Sequence, residues 1–186
     1  MLVKKGIFSI DSNFGEVTKV YSEGTSSDLS VRNGSMVFTQ PQPKCHQPRF
    51  TKSRANTGQA LPITQVNKEV LADIQFAEFD QFSFPGANEE TVYGYWMKPW
   101  NYVEGKKYPI AFIVHGGPQG SFGNMFNNRW NAQLWAAQGF GVVMIDFHGS
   151  TGYGQAFTDS IARDWGGKPL EDLKKASHTS PKNNHG

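Results

Sequence analysis

The chain has 186 residues with 38% hydrophobic and 13% aromatic side chains, enough for a packed core and unlike the polar, aromatic-poor profile of a disordered chain. Eighteen Lys and Arg against sixteen Asp and Glu leave a formal net charge of +2, which supplies neither the basic face that nucleic acid needs nor the cationic cluster that an anionic membrane attracts. The single cysteine, Cys45, excludes an intrachain disulfide and a thiolate-rich metal site.

The opening residues MLVKKGIFSI alternate and hold no apolar stretch long enough for a signal peptide or a membrane span, so any signal of a secreted parent would lie upstream. Residues 1–40 carry short alternating runs at 6–11, 16–21, 28–32 and 35–40, separated by Asn13, Gly15, Gly24 and Asn33-Gly34. Alternation of period two between turn formers predicts an antiparallel meander. Asn33-Gly34-Ser35 also fits the N-glycosylation pattern, but Asn-Gly is a favoured hairpin turn, and the plain turn is the reading adopted. A weak echo follows. Phe8 with residues 11–15 ahead of Val17-Thr18 resembles Phe50 with residues 54–58 ahead of residues 61–64. Gly15 and Gly58 thus stand about 40–45 residues apart, the length of a four-stranded β-propeller blade. Two unrelated hairpins would leave the same trace.

The pattern changes near residue 76, and a second domain is expected to begin within residues 72–81. Residues 77–84 and 91–98 read as strands around the Pro85-Gly86-Ala87-Asn88 turn, with aromatic bulk at Tyr95, Trp96, Trp100 and Tyr102. Residues 108–114 form a continuous apolar run, the mark of a strand buried on both faces, and end in His115-Gly116-Gly117-Pro118. Residues 128–138 place Trp130, Leu134, Trp135 and Ala136-Ala137 at near-helical spacing, with Gly139 as a stop. Residues 140–147 read as a second buried strand, so strand, helix and strand together predict a βαβ unit with a parallel pair. Residues 154–165 look helical again, and Pro169 with Glu171-Asp172 opens a further helix. The last residues, ASHTSPKNNHG, are polar and aperiodic, and His178 and His185 lack carboxylate or cysteine partners at ligand spacing. No metal and no cofactor are expected.

His115-Gly116-Gly117-Pro118 is the most informative string. In an α/β-hydrolase such a loop donates a backbone N–H to the oxyanion of the tetrahedral intermediate. Glycine there admits a substrate carbonyl at close range and a backbone conformation closed to other residues. Gly-Gly-Pro in isolation is an ordinary turn; its place after a buried strand and before the crossover favours the oxyanion reading. A second string, from Asp146 through Gly154, leaves the carboxyl end of the other buried strand, where open α/β sheets place their ligand crevice. It is a candidate wall of a site, although Asp146 bonding local amides and Tyr153 packing would account for the same residues structurally.

The stretches YPIAFIVHGGPQG, RWNAQLWAAQGFGVVMIDFHGSTGYGQAF and DSIARDWGG resemble consecutive parts of serine peptidases of the prolyl oligopeptidase family, in its dipeptidyl peptidase V and acylaminoacyl peptidase branch. The likeness is strong over residues 108–167 and loose before residue 75. It implies the N-terminal portion of an α/β-hydrolase, a parallel βαβ sheet, over residues 76–175, preceded over residues 1–75 by the last blade or blades of a substrate-filtering β-propeller. Residues 176–186 would then be a divergent polar tail. By the same resemblance Gly116 and Gly117 belong to the oxyanion-hole loop, and His115, a loop residue rather than the triad histidine, joins Pro118, His148 and Tyr153 in walling the site. The implied partners are short peptides, cleaved through a covalent serine ester. Many relatives are secreted or periplasmic; compartment and oligomeric state stay open for this chain.

No serine here meets the Gly-x-Ser-x-Gly elbow. Ser121 is followed by Gly123 but preceded by Gln119, and Ser150 is followed by Gly152 but preceded by His148. Because the triad follows the oxyanion loop in the order Ser, Asp or Glu, His, the expectation is a peptidase fragment that keeps the loop, lacks the triad and is inactive. Two rivals remain: a non-catalytic product binding peptides or a partner chain through open sheet edges, and a small esterase using Ser150 or Ser121 with His115 or His148.

Overall fold

The computed structural model describes residues 5–22, 24–41, 48–54, 60–64, 68–123 and 129–179. Residues 1–4, Cys45, most of the echoed turn at 54–58, Asn128 and the end of the polar tail with His185 lie outside the described residues. The described chain forms two compact units, divided between Phe76 and Ala77.

The first unit is built from hairpins. Strand β1 (Ile7–Ile10) pairs antiparallel with β2 (Val17–Tyr21), and β3 (Ser27–Arg32), β4 (Ser35–Pro41), β5 (Pro48–Arg54) and β6 (Ala60–Pro62) form a four-stranded antiparallel sheet in sequence order. Asn33 and Gly34 join β3 to β4 with φ of 48° and 70°. Positive φ at both central positions matches the right-handed twist of the flanking strands, which is why Asn-Gly serves there. Ile7, Tyr21, Met36 and Phe38 make the unit's core, with the Tyr21 and Phe38 rings 5.0 Å apart. Four strands are the content of one propeller blade; no ring of blades closes among the described residues.

The second unit holds a mixed four-stranded sheet of β7 (Phe79–Pro85), β8 (Thr91–Met97), β9 (Ile110–Ile113) and β10 (Gly141–Asp146), in the order β7-β8-β10-β9. The β7–β8 hairpin turns through a short 3-10 helix at Ala87–Glu89. β10 runs antiparallel to β8 and parallel to β9, with Gly141 opposite Ile110 and Met144 opposite Ile113. Side chains alternate between the faces, as period two requires. Phe82, Phe84, Val92 and Ile145 pack with Phe147, Phe157, Leu173 and Ala176 on one face, while Phe79, Met97, Val142 and Met144 pack with Ala132 and Ala136 on the other. Helix α1 (Ala132–Ala137) thus covers one face, and α2 (Gln155–Asp159) and α3 (Lys168–His178) the opposite one.

Four details differ from the sequence reading. The run at 108–114 is not buried on both faces: β9 is an edge strand here, with Ile110 59% and Val114 50% exposed. Helix α1 falls within the expected 128–138 but spans only Ala132–Ala137; it buries Gln133 and Ala136 and exposes Leu134, while Trp130 lies exposed before its start. Gln133 is drawn inward because its amide pairs with both backbone groups of Ala77, at 2.8 Å each. The helix expected over 154–165 ends at Asp159, before a turn in which Arg163 has φ of 66°. Helix α3 continues to His178, so the first residues of the expected polar tail are helical and Ala176 is buried.

Candidate active site

Parallel pairing brings the carboxyl ends of β9 and β10 to the same edge of the sheet, so residues 115–123 and 147–154 leave side by side. A cavity of about 300 Å³ opens there. His115, Gly116, Gly117 and Pro118 line one part of it; Phe147, Trp165 and the α3 residues Pro169, Leu170 and Leu173 line the rest. Gly117 has φ of 56°, a left-handed conformation that costs a residue bearing Cβ about 1–2 kcal/mol. A Cβ on Gly116 or Gly117 would meet nothing within 4 Å, so both glycines face open space.

The glycine loop is tied to the β10 exit at several points. Asp146, fully buried, accepts the Phe122 N–H on Oδ1 at 2.7 Å and the Tyr153 hydroxyl on Oδ2 at 2.6 Å. Thr151 N–H donates to the Gly120 carbonyl at 2.8 Å. The His115 ring stacks on Phe147 at 4.3 Å, and its Nε2 lies 2.9 Å from Ser150 Oγ. Burial holds the His115 imidazole below its ordinary range, against the opposing pull of the Gly116 carbonyl and Asp146. A neutral ring fits its neighbours: Nδ1–H faces the Gly116 carbonyl at 3.3 Å, and Nε2 accepts from the Ser150 hydroxyl. Burial pushes the Asp146 carboxyl up, opposed by its bonds from Tyr153 and Phe122 and by His115. Burial and the same carboxylate push the Tyr153 phenol up.

A second buried cluster lies behind the loop. Asp172 of α3 accepts the Ala87 N–H on Oδ1 at 2.7 Å, and the His148 N–H and Nδ1–H on Oδ2 at 2.7 Å each. His148 is fully buried and stacks on Phe157 at 4.4 Å. Its Nε2 faces Glu90 Oε2 at 3.5 Å without making a hydrogen bond. Partial burial works to raise the Glu90 carboxyl, but His148 and Lys168 beside it outweigh that and hold it low.

Of the residues singled out in the sequence, His115, Gly116, Gly117 and Pro118 come together at the cavity, whereas His148 and Tyr153 do not line it. His148 turns into the cluster under α3, and Tyr153 turns to Asp146 and stacks on Tyr93 at 5.5 Å. The cavity's α3 wall and the Asp172 anchor carried no site motif; Pro169 with Glu171-Asp172 marked only the start of a helix. The esterase arrangement meets a geometric obstacle. Ser150 is fully buried, and Asp146 approaches His115 at 4.0 Å on the same Nε2 that Ser150 occupies. A catalytic imidazole must use one nitrogen for the nucleophile and the other for the orienting acid. His148 does have its acid, Asp172, but no serine reaches its Nε2.

Residues 125–184 match the model of the prolyl oligopeptidase family of peptidases. Dipeptidyl-peptidase 5 of Schizosaccharomyces pombe is 34% identical over 185 residues, an alignment that takes in 91% of this chain and 26% of that protein. The chain belongs to the prolyl oligopeptidase family. Dipeptidyl-peptidase 5 of Trichophyton equinum is 49% identical over 84 residues, 45% of this chain and 12% of that one. Among solved structures, Pyrococcus horikoshii acylaminoacyl peptidase superposes with a TM-score of 0.78 at 21% identity, over 95% of this chain and 28% of its own. A puromycin-hydrolyzing peptidase of Mycobacterium tuberculosis gives 0.69 at 21% identity, over 93% and 27%. At those identities the structures report the fold alone, and the chain spans about a quarter of these prolyl oligopeptidase relatives' length.

Proposed function

We propose that this sequence is part of a serine peptidase that hydrolyses short peptides through an acyl-enzyme, and that the 186 residues alone are catalytically inactive. In this reading residues 76–175 are the N-terminal part of an α/β-hydrolase domain, and residues 1–75 are the last blade or blades of a propeller. Gly116 and Gly117 supply the first half of the oxyanion hole, with His115 and Pro118 beside them. The observation that carries it is Gly116-Gly117 at the carboxyl end of β9, exposed to the cavity and next to a parallel β10. An amide there can stabilise a developing oxyanion, a contribution of order 10²–10³ in turnover. That amide has nothing to stabilise without a nucleophile, and no serine of the chain sits in a Gly-x-Ser-x-Gly elbow.

The open edge of β9 also fits strand addition by another chain. The glycine loop at the end of the same strand carries the more specific chemistry, so the peptidase reading is the one taken. Incubated with dipeptidyl chromogenic substrates, the purified chain is expected to release chromophore no faster than buffer. Turnover abolished by a serine-directed inhibitor would overturn the proposal.

A further inference from the structure

We infer that Asp146 is the positioning residue of the glycine loop: its buried carboxylate fixes the far end of residues 115–123 and thereby the conformation of Gly116-Gly117. The inference rests on the oxyanion reading of that loop for its functional meaning, but the clamp itself is a matter of geometry. Residues 115–123 form no helix or strand, so their shape depends on bonds to other segments. Asp146 closes the last turn of the loop by accepting the Phe122 amide on Oδ1 at 2.7 Å.

The acceptor is itself held from both sides. Asp146 ends β10 in register with Tyr93 of β8, and its other oxygen takes the hydroxyl of Tyr153, whose ring lies flat on Tyr93 with 7° between planes. No lysine or arginine pairs with Asp146 among the described residues; the titratable ring beside it is that of His115 at 4.0 Å, held neutral by burial. A fully buried carboxylate without a basic counter-ion is costly unless several donors satisfy it. Here the donors are the Phe122 amide of the loop and the Tyr153 phenol, so the residue joins loop to sheet. A triad role is excluded by the shared His115 nitrogen described above.

Residue-resolved amide exchange on the whole chain tests this without any catalysis. In Asp146→Ser the Phe122 amide is expected to exchange about tenfold faster or more, as the loss of one buried acceptor implies. The Gly116 and Gly117 resonances should shift while Val142–Ile145 amides keep their protection. Asp146→Asn, which retains an acceptor oxygen, should restore most of the Phe122 protection. Should Asp146→Ser fail to fold, Tyr153→Phe gives the same reading, with a smaller loss confined to residues 116–123. Unchanged Phe122 exchange in either variant would overturn the inference, as would equal loss along β10 or failure of Asp146→Asn to restore. Failure of the peptidase reading would appear in turnover assays and leave these exchange rates untouched.

Discussion

His115 and Asp146 lie 4.0 Å apart and shift in opposite directions with opposite consequences for stability. An unfolded histidine protonates near pH 6.5. Because the folded imidazole is held lower, the unfolded chain takes up this proton first, and stability is lost as pH falls through and below that value. For Asp146 the folded carboxyl is raised, so ionising it costs stability as pH rises, and acidification returns that loss once pH falls through its folded value. All five tryptophans belong to the second unit, so their fluorescence during urea unfolding isolates it. Between pH 7.5 and 5.5 the second unit is expected to lose stability, and His115→Gln to lose less. An equal loss in the variant would show that His115 is not held neutral by burial. Gly116-Gly117 could be read from the sequence because residue type and position after a strand are local facts. The His115–Ser150 bond could not, since it joins positions 35 residues apart.

At the scale of elements, the sheet was legible where hydrophobic period and turn chemistry agreed. The Asn33-Gly34 hairpin, the β7–β8 pair and the parallel β9–β10 pair all follow from local pattern. Face and extent were harder. Gln133 faces inward because a backbone segment 56 residues away needs its amide, and no periodicity shows that. Helix α3 is docked by the packing of Leu173 and Ala176 and by a polar side chain: Asp172 gathers the Ala87 amide of the β7–β8 turn and two donors of His148. Removing one member of such a buried network leaves the others unsatisfied, which costs roughly 3–5 kcal/mol. Asp172→Ala is therefore expected to destabilise the second unit by about that amount in urea unfolding, while Lys174→Ala on the exposed face of α3 changes it by about 0.5 kcal/mol or less. A loss under about 1 kcal/mol in Asp172→Ala would show that apolar packing of Leu173 and Ala176 alone holds the helix.

For the whole molecule, the family was readable from sequence in outline, because the strings that leave β9 and β10 are contiguous and specific. The exposure of β9 was not readable, since an apolar run reports a tendency to be covered and carries no record of which segments do the covering. The same distinction governs function. A complete hydrolase site needs oxyanion donors, nucleophile, base and acid held together, and in the proposed reading this chain contributes part of the first of these from a braced loop. Stoichiometric titration with a serine-reactive phosphonate, read by intact mass, tests that claim most directly. The mass of the 186-residue chain is expected to stay unchanged under conditions that fully label a complete serine hydrolase. A one-to-one adduct on Ser150, Ser121 or any other serine would contradict it.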